Sequence, residues 1–239
     1  MSDPRAAAFL REMGIETLWL LRSPAAAPAL PPELVPVAET PAPAAPDPVD
    51  DMDWPALRAA IAGCQRCGLC KSGRPLAGEG AERARWLVVA GPVNSEMESA
   101  ASVLAGDAGQ LLVNMLHAAG HGLERDTYVT PLVKCRPSSG KGADRAPTPE
   151  EIAACRPYLL RELALSGADT VLTLGQAAAN GVLERPLDTP LASARGQTHR
   201  VGAAQLVATL RPQDLLRQPA DKAEAWADLC RARGRDGSA

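Results

Sequence analysis

Apolar positions fall into short runs separated by amphipathic stretches. Residues 86–90 (WLVVA) form an unbroken apolar run, the pattern of a strand covered on both faces. Residues 127–133 (TYVTPLV), 169–174 (DTVLTL) and 205–210 (QLVATL) predict three more strands, with Pro131 weakening the first of these or placing it near a sheet edge. Between them the period changes to helical. In 107–119 (DAGQLLVNMLHAA), Leu111, Leu112, Met115 and Leu116 share one face, and Gly120 and Gly122 mark the end. Thr148, Pro149 and Glu151 form a capping-box start for a helix reaching about Leu165. Asp53-Trp54-Pro55 opens an earlier helix running into Cys64, Gly175 leads into AAANGVL, and 220–233 predict a last helix.

Strands alternating with helices imply a parallel sheet covered on both sides. The expected fold is α/β, a three-layer α/β/α sandwich with a mainly parallel four-stranded central sheet. Sites in such folds lie beyond the carboxyl ends of the strands. The loops 91–106, 134–147, 175–176 and 210–217 are therefore where chemistry is expected.

The first 52 residues read differently. Residues 1–22 predict an N-terminal helical segment, with Phe9, Leu10, Met13 and Leu18 at roughly helical spacing; it is a candidate for docking a protein partner. Residues 23–52 read as a Pro/Ala-rich linker, with nine prolines between 23 and 50, and 53–239 as the folded domain. Charge divides at the same place. Residues 1–53 hold nine acids against three bases, a balance of −6, leaving nineteen acids against twenty-two bases, +3. A mildly basic body permits nucleic-acid binding without demanding it. No apolar run reaches the roughly 18 residues of a membrane helix, and the first residues lack the apolar stretch of a signal peptide. A cytoplasmic location is expected. Aromatics are 3 % of the chain, so the core must be built mainly from Ala, Leu and Val.

Six cysteines in such a chain favour metal binding, catalysis or burial over disulfides. Cys64-Gln-Arg-Cys67 is a CxxC, which lets two thiolates on one turn reach one metal; distant thiols must complete the site. Cys135 follows a strand and Cys155 lies in the next helix. Cys70 reads as a spare ligand or a core thiol, and Cys230 as packing. On spacing alone, zinc in a four-thiolate site and simple burial both stay open. His117 and His121, four apart, are a weaker metal candidate, since His121 falls past the helix end. Glu96 and Glu98 read better as a solvated loop edge than as an acid pair.

A set of motifs resembles the iron–sulfur (family-4) uracil-DNA glycosylases. They are Lys134-Cys135-Arg136-Pro137, then Arg145-Ala-Pro-Thr-Pro-Glu-Glu151, then Cys155-Arg-Pro-Tyr-Leu159. Ala108-Gly-Gln-Leu-Leu112, Leu174-Gly-Gln-Ala-Ala178, Arg195-Gly196 and Leu215-Leu-Arg-Gln-Pro219 with Lys222 and Trp226 follow in the same order, so the match runs from about 58 to 233. The resemblance implies a 4Fe–4S cluster on Cys64, Cys67, Cys135 and Cys155, favouring iron–sulfur over zinc. It implies DNA, single- or double-stranded, as the partner, and hydrolysis of the bond between deoxyribose and a flipped uracil or other base.

The resemblance is weakest at the pocket. Where the family has Gly-Glu-Ala-Pro-Gly followed by Glu, this chain has Ala90-Gly91-Pro92-Val93-Asn94, with Met97 at the Glu position between Glu96 and Glu98. Leu104 replaces the phenyl ring that stacks on the base. Asp144, at the end of a longer loop, falls at the position of a base-reading Asn, and Arg211 replaces a His before Pro212. The candidate catalytic residues are therefore Arg211, Asp144 and Glu98, with Gly91, Pro92, Val93, Asn94 and Leu104 lining the pocket. A donor beside the departing base stabilises its developing negative charge, and Arg211 keeps a donor with a fixed charge. Loss of the ring removes a stacking platform of about 1–3 kcal/mol. Lys134, Arg136, Arg145, Arg195 and Arg217 are candidate phosphate contacts on one rim, with scattered solvated bases as the alternative.

Overall fold

The computed structural model describes residues 47–71, 73–140, 142–183, 191 and 195–234. The helix expected over 1–22, and the linker up to residue 46, lie outside the described residues. Residues 47–52, placed by composition at the end of the linker, are packed instead. Val49 is buried, Met52 O accepts a hydrogen bond from Arg161 Nε at 2.5 Å, and Asp47 pairs with Arg66 of the CxxC segment.

The described strands form one six-stranded sheet: β1 (Glu79–Gly80), β2 (Trp86–Ala90), β3 (Thr127–Pro131), β4 (Thr170–Leu174), β5 (Thr198–Val201) and β6 (Ala204–Thr209). Their order is β1-β3-β2-β4-β6-β5. The four inner strands are parallel, in registers such as Val88↔Val129 and Val88↔Leu172, while β1 and β5 pair antiparallel at the edges. The four expected strands are thus the parallel centre, and the sheet is wider than expected by an antiparallel strand at each side. Pro131 ends β3, whose outer neighbour is only two residues long, so its missing N–H costs no ladder bond in the middle of the sheet.

Alternate residues of each buried strand feed two cores. Leu87, Val89, Tyr128, Val171 and Leu206 face one layer. It is made of α1 (Trp54–Ala62), α4 (Pro149–Ser166) and α5 (Gln176–Leu183). Trp86, Val88, Val129, Leu172 and Val207 face the other. Its helices are α3 (Gly106–Ala118) and α7 (Lys222–Arg233), with α6 (Pro212–Arg217) against α3. This is the three-layer sandwich. Local chemistry sets the helix ends. Asp53 Oδ1 accepts from Ala56 N–H in front of Pro55, Thr148 and Glu151 make the reciprocal capping box, and Gly167 closes α4 in the left-handed conformation. A helix not anticipated, α2 (Ser95–Ala100), starts at Asn94, whose side chain accepts from Met97 N–H. No described helix is long and apolar enough to cross a membrane.

Candidate active site and thiol centre

The carboxyl ends of the parallel strands open into a cleft of about 520 Å³. Its walls come from Ala90–Asn94 after β2, Asp144–Pro147 after β3, Leu174 and Ala177 at the end of β4, and Arg211–Gln213 with Arg217 after β6, closed by Val103 and α3. Three of the four loops expected to carry chemistry thus contribute; the fourth, 175–176, is represented only by its flanks Leu174 and Ala177. Gly91, Pro92, Val93 and Asn94 stand on the wall. Leu104 does not: Val103 faces the cleft, while Leu104 is half-buried against the second core, its N–H donating to Glu79 Oε1 at 3.0 Å. That loop lies hard against α3, since a Cβ on Gly109 would stand 1.9 Å from Leu104 O.

Arg211 reaches the cleft from the position just before α6. Its stem crosses Gly175, where a Cβ would meet Arg211 Cγ at 2.6 Å, so the glycine after β4 makes room for the arginine. Its guanidinium donates from Nε and Nη2 to the two oxygens of Asp214, at 2.8 and 3.0 Å. The side chain is 42 % exposed.

The two candidate carboxylates have other work. Asp144 Oδ1 accepts from Arg136 Nε at 2.5 Å, and its other oxygen from Ser95 N–H at 3.4 Å. Glu98 accepts from Arg74 N–H at 3.0 Å and from Arg136 Nη1 at 3.5 Å. Arg136 also donates to Gly142 O at 2.6 Å. One guanidinium therefore ties α2, the long 138–145 loop and the Cys135 segment together. Asp144 lines the cleft; Glu98 does not.

Of the expected phosphate contacts, Lys134 must be withdrawn. It is 1 % exposed, and its Nζ lies 2.7 Å from Glu162 Oε2, which is itself wholly buried. Sequence reasoning placed it on the rim because it follows a strand; the buried Glu162, twenty-eight residues away, holds it inside. Arg136 is occupied as described. Arg195 is directed at Asp228 and Glu224 on α7, away from the cleft loops. Arg145 lines the cleft but grips Glu151 through both terminal nitrogens, holding that carboxyl below its ordinary range. Arg217 is exposed on the cleft rim with no ion pair among the described residues, so it is free to meet a phosphate.

Beside the cleft loops lie the thiols. Tyr158 and Arg66 steady the CxxC turn, with the guanidinium 5.1 Å above the ring, and Arg66 Nη1 donates to Asp47 at 2.7 Å. A 3-10 turn, Gly68–Lys71, then brings Cys70 Sγ to 3.7 Å from Cys64 Sγ. Burial pushes the Cys135 thiol upward, and the neighbouring thiols of Cys70, Cys155 and Cys67 add to the shift. Burial pushes Cys155 to about 11, against the opposing pull of Lys134, with Cys67 and Cys64 raising it further. Five cysteines from three segments are thus neighbours. Among the described residues no three of them stand in ligand geometry about one point. As a donor set they still fit a thiolate-bound centre: soft sulfur ligands, two fully buried, drawn from a CxxC and two distant segments. Cys230 is exposed on α7, remote in sequence and fold from this group. His121 is buried, stacked on Trp86 and hydrogen-bonded to Asp126 at 3.1 Å, a packing role rather than half of a metal clip.

A doubly covered parallel sheet, a base-sized cleft at its carboxyl edge with an arginine rim, and a knot of thiols beside it describe an α/β protein built to present loops to a ligand. The chain belongs to the uracil DNA glycosylase superfamily, whose family model matches residues 72–230. It is 30 % identical to a type-4 uracil-DNA glycosylase of Pyrobaculum aerophilum over 187 residues, covering 74 % of this chain and 92 % of that enzyme. Type-4 uracil-DNA glycosylases of Archaeoglobus fulgidus (30 % identity; 71 % of this chain, 86 % of the relative) and Thermotoga maritima (31 %; 59 % and 70 %) are similar as well.

Proposed function

We propose that this protein acts in base-excision DNA repair, hydrolysing the N-glycosidic bond of uracil or another base flipped out of DNA. The observation that carries this reading is the cleft itself. It sits where the superfamily match and the strand ends coincide, and it is large enough for a flipped base. Arg211 stands at its mouth and Arg217 on its rim. Flipping costs a few kcal/mol and needs a snug pocket to repay it. A fixed positive donor at the mouth is suited to the negative charge that the leaving base acquires, and Arg217 to the phosphate beside it.

Four thiolates, those of Cys64, Cys67, Cys135 and Cys155, hold a 4Fe–4S cluster in this reading. The group supplies a covalent tie between the CxxC turn, the Lys134-Cys135-Arg136-Pro137 segment and α4. Those segments support Arg136, and through it Asp144 at the cleft. A cytoplasmic location, and a protein partner for residues 1–22, belong to the same proposal.

A second reading has one observation in its favour. Glu98, Asp144 and Asp214 are each engaged by an arginine, so no free carboxylate faces the cleft among the described residues to orient water. A protein so built binds DNA without releasing a base. The two readings separate on a uracil-bearing oligonucleotide: abasic sites that break in alkali support excision, whereas salt-sensitive binding without strand breaks supports binding alone.

A further inference from the structure

Five thiols meet where four are needed, and the fifth is not placed at random. Cys70 Sγ lies 3.7 Å from Cys64 Sγ. Two thiolates on one tetrahedral metal atom, with metal–sulfur bonds of about 2.3 Å, stand about 3.8 Å apart. The two sulfurs are therefore within reach of the same metal atom, whereas the cysteines of a four-iron cluster each take a different one. The turn that carries Cys70 is short and held in place: Cys70 N–H donates to Cys67 O at 3.4 Å, and Gly73 N–H to Leu69 O at 3.0 Å. Cys70 also neighbours Cys135, and it is half-buried, as Cys64 is.

We propose that Cys70 is a reserve ligand, interchangeable with Cys64 at one metal atom of the centre. This rests on the cluster proposed above. In the exchange, Cys70 gives up its thiol proton as its sulfur bonds to the metal, and the Cys64 sulfur leaves as thiolate and takes up a proton. No electron moves and no oxidant is needed. The exchange gives the centre a way to survive loss or modification of Cys64, whose half-buried turn is more open than Cys135 and Cys155.

The test measures iron and acid-labile sulfide per chain, and absorbance near 400 nm, in anaerobically purified full-length protein. Cys64→Ser is expected to keep more than half of the wild-type iron, and the double variant Cys64→Ser/Cys70→Ser less than a tenth. A single Cys64→Ser variant as empty as the double one overturns the proposal. If Cys64→Ser is insoluble, Cys70→Ser decides: exposed to a chelator, it is expected to lose iron several-fold faster than wild type, and an equal rate overturns the proposal. The underlying reading fails separately. Wild-type protein carrying zinc and no iron overturns the cluster, and the exchange is then read from zinc per chain in the same variants. Wild-type protein with neither metal overturns both.

Discussion

Replacing Lys134 with methionine is the sharpest test of how the thiol segments are held. Lys134 Nζ donates to Glu162 Oε2 at 2.7 Å, to Thr130 Oγ1 at 2.5 Å and to Pro131 O at 3.4 Å. Glu162 accepts one more bond, from the Thr130 hydroxyl at 2.7 Å, and its other oxygen has no hydrogen-bond partner among the described residues. Nearby, burial and the Glu162 carboxylate push the Tyr128 hydroxyl far up, so it stays protonated. Methionine fills the space of the lysine stem but leaves a carboxylate at 0 % exposure with a single donor. Removing one partner of a buried ion pair costs about 3–5 kcal/mol, a large part of the roughly 5–15 kcal/mol that holds a domain together.

Replacing both partners by apolar residues, Lys134→Met with Glu162→Leu, should recover most of the loss. Urea unfolding at pH 7, on protein of matched metal content, reads both variants. A single variant within about 1 kcal/mol of wild type would refute the reasoning.

Arg211→Ala should lower base release about 100- to 1,000-fold, the scale for losing one well-placed donor; unchanged release would remove Arg211 from the chemistry. Gly109→Ala should destabilise despite alanine's better helix propensity, because its Cβ would meet backbone, Leu104 O, at 1.9 Å. A loss of about 1–3 kcal/mol in a thermal melt is expected, and a gain would contradict the packing of the 102–106 loop. Glu151, held below its ordinary range first by Arg145, contributes stability that is complete above about pH 4.3 and lost as pH falls through its lower folded value. Glu151→Gln should therefore flatten the acid limb of the stability curve, and an unaltered limb would show that the bidentate pair does nothing in solution.

The parallel centre of the sheet was legible because its strands are apolar on both faces, and a run such as WLVVA admits little else. The edges were not. β1 has two residues, and Thr198–Val201 alternates exposed and half-buried positions as an edge strand does, without an apolar run to announce it. The helix α2 escaped because SEMESA has no buried residue and forms on the cap of Asn94. At the site, position along the chain was readable and partnership was not. The loops that build the cleft were found from strand ends, yet which carboxylate an arginine grips depends on residues far apart. Arg136 joining Glu98 to Asp144, Lys134 reaching Glu162, and Val103 rather than Leu104 lining the cleft are such cases. Cys70 is another. Its spacing left it a spare ligand or a core thiol, and only the 3-10 turn sets its sulfur beside that of Cys64.

The most direct test of the central claim is base release from single-stranded and duplex oligonucleotides carrying one uracil, using anaerobically purified protein with its visible spectrum and iron content recorded. The account predicts alkali-labile breaks at the uracil position, lost in Arg211→Ala. Folded, iron-loaded protein that binds these oligonucleotides but releases neither uracil nor, from matched substrates, hypoxanthine would contradict it and leave DNA binding without excision.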